Sequence, residues 1–425
     1  MKSESMTAFM QEKVMPAVTK FTNFHFVRCM QQGIVACTNA TMIGSIFMLL
    51  LIPPFPATMS GGIVDAWRNF SAANAGILNL GYTLGINFAG FYILLGMVSA
   101  VCKEEKVPAV NNMVMAVLAF LFLHCDIVDG NLTIGLLGAQ GMMAAIIVGY
   151  FVPLLNIWFK KHGLRIKMPD SVPPFVSEQL EDMISSFAVM AVVVVVKLIF
   201  GAFGMTLASF INKLFGPIFS GADTLFAVLV YCIVVRVLWF FGIHGNAVAN
   251  AVVMPILTMA SVANTEAVVA GGKPSIIFNG NFQQWTTQGI LFIVIAILLV
   301  AKSDQLKALS RVAIVPALVN IGEPLTFGLP LVLNFDILVP YLIVFALCGF
   351  TPYMACKLGL MNIPYVGVPF TLPAIIKVFF MSMDWRAVVV YLVNAVVCVL
   401  IMIPFIKKYD AKLCAQEAAS REENN

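Results

Sequence analysis

Ten apolar runs constrain what this chain can fold into. They lie at residues 27–52, 74–102, 108–125, 132–159, 183–203, 224–243, 247–270, 285–301, 337–356 and 387–406. Each approaches or exceeds the roughly 20 residues that a helix needs to cross a bilayer core. Only 11% of the 425 residues are charged and 60% are hydrophobic, where soluble proteins carry about 25% charge. Mean hydropathy is +0.95. The expectation is an all-α polytopic membrane protein with about ten transmembrane helices, surrounded by lipid.

The basic loops test that count. KEEK (103–106), KKHGLRIK (160–167), KSDQLKALSR (302–311) and KKYDAK (407–412) are separated by even numbers of runs. Under the positive-inside rule all four then share the cytoplasmic side with both termini. The first residues hold acids and lack a short apolar core, so no cleavable signal is read there. The stretch 160–182 is the most polar internal segment and reads as a cytoplasmic linker. It divides a first membrane bundle (1–159) from a second (183–407), and a polar tail follows (408–425).

A further apolar window, 312–335, carries a single charge, Glu323. A carboxylate at membrane depth is costly, of order 2.5–3.5 kcal/mol on insertion scales. The segment NIGEPLTFGLPLVL is also broken by Gly322, Pro324, Gly328 and Pro330, which oppose one continuous helix. Irregular backbone at that depth needs protein or a watery cavity around it. We therefore expect a broken, re-entrant segment presenting Glu323 near mid-membrane. The alternative is a core helix whose Glu pairs with a neighbouring donor.

A second break lies in WFFGIHGNAVANAVVMP (239–255), where His244 sits between Gly242 and Gly245. Neither Asp, Glu, Lys nor Arg occurs between Arg236 and Glu266. His244 offers two ring nitrogens to hydroxyl groups, and Asn246 and Asn250 offer donors and acceptors suited to a sugar. Trp239 supplies an apolar ring face. Taken alone, a satisfied core histidine fits as well; with Glu323 it forms a hydroxyl-binding, proton-handling pair.

Three lesser features stand out. LGAQG (137–141) suits tight helix packing. HCDIVDGN (124–131) lacks the acidic spacing of a calcium loop and reads as an external turn. GVPFTLP (367–373) is a Pro-broken segment in which Phe370 can stack on a ligand or merely mark a kink. Nine scattered cysteines without a CxxC pair read as small apolar side chains. No metal site and no cofactor is expected, and no basic stripe suggests nucleic acid.

Together GIHGN, NIGEPLTFGLPLVLN, LGAQG, IKMPDSVPP and the closing DWRAVVVYLVN…IPFIKKYD resemble the membrane (IIC) component of the lactose/cellobiose class of the bacterial phosphoenolpyruvate-dependent sugar phosphotransferase system. The resemblance covers nearly the whole chain. It implies a homodimer in the bacterial cytoplasmic (inner) membrane, with an N-terminal interface bundle and a C-terminal sugar-transport bundle containing re-entrant hairpins. It further implies that His244 and Glu323 bind the sugar and ready a hydroxyl for phosphorylation. The donor in that family is a phosphocysteine on a IIB subunit charged through IIA. No IIB-like segment is read here, so a separate IIB is expected.

This sequence departs from the family at three places. NFQQWTTQGILF (281–292) stands where relatives have a glycine-rich run, VPFTLP replaces a VPWTTP-like phrase, and SEQLED follows VPP. The first two bear on which sugar is bound, the third on the soluble partner. The reading is a permease subunit for a β-linked disaccharide or related glycoside, phosphorylated as it is carried inward. The rival is an ion-coupled secondary transporter, which also uses broken helices and mid-membrane carboxylates. A membrane hydrolase fares poorly, because neither HExxH nor GxSxG occurs.

Overall fold

A computed structural model describes the chain except residues 1–11, 13–14, 54–58, 134, 165–173, 330, 333 and 424–425. Much of the expected linker, including MPDSVP (168–173), lies outside the described residues. Among those described, seven helices are long and apolar enough to span a membrane: His25–Leu51, Ala139–Lys161, Met183–Ala202, Gly245–Val269, Gly280–Val300, Phe335–Lys357 and Trp385–Glu422. A pair bent by 42°, Ala75–Asn87 and Ala89–Glu105, makes an eighth. Shorter apolar helices at Ala109–His124 and Leu225–Phe240 occupy the other two expected runs. The chain is an all-α, multi-pass membrane protein.

The chain forms two compact units. One comprises Lys20–Ile52 and Trp67–Phe219. Its helices approach through glycine: a Cβ on Gly85 would collide with the backbone of Gly44, and one on Gly33 would meet the Met97 side chain at 2.7 Å. Without a hydrophobic drive between helices in lipid, such close approach supplies the packing. LGAQG takes part, since Leu137 O accepts the Gly90 N–H at 2.9 Å and a Cβ on Gly141 would strike Leu136 O. Deeper in, Asn156 donates to Asn112 at 2.9 Å. Helix Pro174–Ala202 packs on this same unit, placing Val189 and Val193 beside Phe120 and Val148. HCDIVDGN closes as a hairpin, Ile127 opposite Leu132 and Val128 opposite Asn131. Its turn residues Asp129 and Gly130 hold φ of 52° and 76°, the two positive values that a tight hairpin turn needs.

The other unit is Ser220–Asn425 with described residues from Met1–Thr19 and Pro53–Ala66. Its core is aromatic: Trp285, Phe292, Tyr341, Phe345 and Tyr391 are all buried. Helices Gly289–Val300, Phe335–Lys357 and Trp385–Glu423 carry most of it. Asp410 holds the return of the chain, accepting from Lys302 N–H, Ser303 N–H and Ser303 Oγ at 2.8, 2.9 and 2.6 Å. The basic stretch 302–311 is thus helical from Asp304 onward, capped by Ser303.

Candidate functional site

Glu323 follows a helix stop closed by backbone hydrogen bonds. Helix Asp304–Leu318 ends with Asn320 N–H on Ala317 O (3.0 Å) and Ile321 N–H on Pro316 O (2.9 Å). This pairing is a Schellman motif, and it requires a left-handed residue after the helix. Asn320 takes that place at φ 66°, a conformation Asn tolerates better than most residues. A six-residue helix, Glu323–Gly328, then begins. The expected break in the 312–335 window is therefore present. The Glu323 side chain is 50% exposed, and its nearest cationic or donor neighbour is His244.

His244 arises in the same way. Helix Leu225–Phe240 closes with Gly242 N–H on Trp239 O (3.0 Å) and Ile243 N–H on Leu238 O (2.9 Å). Gly242 supplies φ of 78°, and Leu238 and Ile243 pack on each other, the apolar contact that often accompanies this stop. His244 then caps the next helix: its Nδ1 accepts the Ala247 N–H at 3.1 Å. Gly245 must lack a Cβ, which would collide with the Val235 carbonyl oxygen. The cap fixes the tautomer, because an Nδ1 that accepts leaves the ring proton of the neutral imidazole on Nε2. That nitrogen faces Glu323, with Nε2 4.0 Å from Oε1.

All six residues expected at the site, Trp239, His244, Asn246, Asn250, Glu323 and Phe370, line one cavity of about 540 Å³ within the Ser220–Asn425 unit. That is within the usual range for a small-molecule site. The Trp239 ring lies 4.5 Å from the His244 ring at 48°, and its Nε1 donates to Asn246 Oδ1 at 3.0 Å. Phe370 is 44% exposed. The ammonium of fully buried Lys377 sits 5.1 Å from its ring centroid.

The 4.0 Å separation of Nε2 and Oε1 is too long for a direct hydrogen bond. A hydroxyl oxygen set off the line between them reaches both at ordinary hydrogen-bond length. It would accept a hydrogen bond from Nε2–H and donate its own hydrogen to the carboxylate. The pair can therefore hold a hydroxyl by two hydrogen bonds of opposite sense.

The family model described as "Phosphotransferase system, EIIC" matches residues 31–349. The chain belongs to this family. As an EIIC chain it is 26% identical to the oligo-β-mannoside-specific EIIC component of Bacillus subtilis (strain 168), over 97% of both chains. Identity to that organism's lichenan permease IIC component is 27%, covering 96% of this chain and 94% of the relative. The lactose-specific EIICB component of Staphylococcus epidermidis is 26% identical; 97% of this chain is matched to 72% of that protein. Among solved structures, the transporter ChbC, the IIC component of an N,N'-diacetylchitobiose-specific phosphotransferase system, superposes with a TM-score of 0.86. The two are 27% identical, covering 96% of this chain and 99% of ChbC. These likenesses favour group translocation over the ion-coupled rival.

The EIIC cavity also contains residues that reading the sequence did not single out: Arg236, Gln283, Thr287, Asn320 and Thr326. Arg236 is 5% exposed, lies 3.7 Å over the Phe345 ring and reaches Thr286 O at 3.4 Å. Gln283 and Thr287 come from the segment noted only as a departure from the family. It folds as a turn of α-helix (Gly280–Gln283) and a 3-10 turn (Gln284–Thr287) leading into helix Gly289–Val300, its start pinned by Asn279, the acceptor for Asn281 and Phe282 N–H. The one signal available was the density of polar side chains, NFQQWTTQ, ahead of an apolar run.

Proposed function

We propose that this chain is the sugar-translocating subunit of a phosphotransferase system, taking a β-linked disaccharide or related glycoside into the cavity around Glu323. The observation that carries this is the approach of His244 Nε2 to Glu323 Oε1 at 4.0 Å inside a 540 Å³ cavity. The named sugars of the relatives, from lactose to N,N'-diacetylchitobiose, support the substrate class.

In this reading the sugar hydroxyl sits between the two groups. His244 Nε2–H donates to its oxygen, and the hydroxyl proton passes to Glu323 as the oxygen attacks phosphorus on the phosphocysteine of a IIB partner. The new P–O bond replaces the P–S bond, and the thiolate leaves on IIB. General-base assistance of this kind contributes about 10²–10⁴-fold. The Asn246 and Asn250 amides and the Trp239 and Phe370 rings hold the sugar. Once phosphorylated, the product is an anion that no longer returns through an apolar barrier. We place the protein in the bacterial cytoplasmic membrane as a homodimer joined through the bundle before the linker, with IIB and IIA on the cytoplasmic side. Crosslinks between protomers that form only within 183–407 would contradict that interface.

The test is direct titration of purified protein with lactose, cellobiose, β-1,4-mannobiose and N,N'-diacetylchitobiose, followed by addition of phosphorylated IIB. We expect one of the four to bind, and to be phosphorylated only when IIB is present. Uptake that persists without IIB and collapses with an uncoupler would overturn this function.

A further inference from the structure

We propose that Tyr231 is a positioning residue that sets which sugar this cavity accepts, by locking the amides of Asn250 and Gln283 in opposite orientations. The inference rests on the sugar-binding reading above.

Tyr231 lies on helix Leu225–Phe240 and is 5% exposed. Its ring packs toward Phe278, with centroids 5.7 Å apart, and forms part of the wall of a separate apolar groove. Tyr231 does not line the polar cavity, but its hydroxyl touches two residues that do. Gln283 Nε2 donates to Tyr231 Oη at 2.6 Å, and Oη donates to Asn250 Oδ1 at 2.9 Å.

A phenol has one hydrogen to donate, so only one of two amide partners can accept from it; here Asn250 accepts and Gln283 donates. The amide that gives its nitrogen to Tyr231 turns its oxygen free, and the amide that gives its oxygen turns its nitrogen free. Gln283 Oε1 is thereby left as an acceptor and Asn250 Nδ2 as a donor. Trp239 acts likewise on Asn246: indole is donor-only, so it holds Oδ1 and leaves Nδ2 free.

An unanchored amide can flip to suit a hydroxyl of either sense and so discriminates poorly. One that is anchored presents a fixed donor or acceptor. Sugars that place a hydroxyl or an acetamido group differently then leave a polar group unpaired, the mismatch that gives polar sites their selectivity. Asn250 and Gln283 lie on different segments, so a single hydroxyl sets the order of donor and acceptor along this wall.

Tyr231→Phe removes the hydroxyl and keeps the ring. We expect its thermal midpoint to fall modestly, as two lost hydrogen bonds require, with the protein still folded. The ratio of affinities between the best and second-best of lactose, cellobiose, β-1,4-mannobiose and N,N'-diacetylchitobiose should fall by about tenfold, the scale of losing one buried and one half-buried hydrogen bond. Loss of packing alone would weaken all four sugars together and leave the ratio unchanged. A second measurement guards against a misfolded variant. In an Asn250→Ala, Gln283→Ala background, adding Tyr231→Phe should change affinity by less than about twofold, since coupled residues are not additive. Unchanged ratios in Tyr231→Phe, or a full effect in the double-Ala background, would overturn the inference while leaving the sugar-binding reading intact. A wild-type protein that binds none of the four would remove both.

Discussion

The side-chain amide of Asn320 donates to the backbone carbonyl of Phe370 at 2.8 Å, and to that of Leu372 at 3.0 Å. Asn320 therefore has two tasks. It turns the chain out of helix Asp304–Leu318 three residues before Glu323, and it ties down the Pro-broken segment that carries Phe370. The carboxylate and the aromatic ring are placed by one residue.

Those tasks separate by substitution. Asn320→Gly keeps the positive φ at little cost but loses both hydrogen bonds. It should fold close to wild type and bind sugar about tenfold more weakly. Asn320→Ala loses the bonds and also strains the backbone by roughly 1–2 kcal/mol, so its melting temperature should fall below that of the Gly variant. Sugar titration and thermal unfolding read the two effects. Equal affinity of Asn320→Gly and wild type would show that this amide does not hold Phe370.

Glu323→Gln keeps the volume and removes the base. Its carbonyl still accepts from a hydroxyl, so binding should survive in part, while phosphorylation by charged IIB falls by about 10²–10⁴-fold. His244→Gln should weaken both steps, because it removes the Nε2–H donor and the cap on Ala247 together. The comparison is phosphorylation against binding in the same protein, at saturating sugar and partner. Near-normal phosphorylation with reduced binding in Glu323→Gln would leave the carboxylate as a sugar ligand only.

Phe370 offers apolar surface and no polar handle, so its contribution to binding should be stacking. Phe370→Ala should weaken sugar binding, and Phe370→Trp should preserve it or shift preference among disaccharides. Aromatic pairs contribute about 0.5–1.5 kcal/mol beyond area burial, which sets the scale of the expected loss. A folded Ala variant with wild-type affinity would confine Phe370 to packing over Lys377.

The four basic stretches should all face the cytoplasm. Ser303 is buried with its hydroxyl on Asp410, so it is a poor labelling position, whereas Leu164 and Ala308 are exposed. Cysteines at these two positions, one at a time in a Cys-less background, should react with an impermeant reagent only after the membrane is opened. Labelling of either from outside intact cells would reverse the topology.

The sequence by itself determined the span pattern and where it breaks. Apolar runs of membrane length have few solutions in lipid, because each backbone group must bond within its own segment. Gly242 before His244 marked one break for a local reason, since it supplies the positive φ of the turn; Gly322 and Pro324 marked the other, although there Asn320 makes the turn. His244, Asn246, Asn250 and Glu323 could be named because polar groups at such breaks are costly unless used, and Trp239 and Phe370 because aromatic rings there offer a face to a sugar. Tertiary structure alone decided which other polar groups join them. Asn279 and Asn250 are the same residue type, each in a stretch without charged neighbours. Yet Asn279 is fully buried, bonding Ile276, Ile277 and Pro364 carbonyls, while Asn250 lines the cavity. Arg236 lies in an apolar helix and Gln283 in a polar turn, and the two reach the same space through contacts tens of residues apart in the chain. No local pattern encodes that convergence, because the partner that gives each side chain its role comes from another segment.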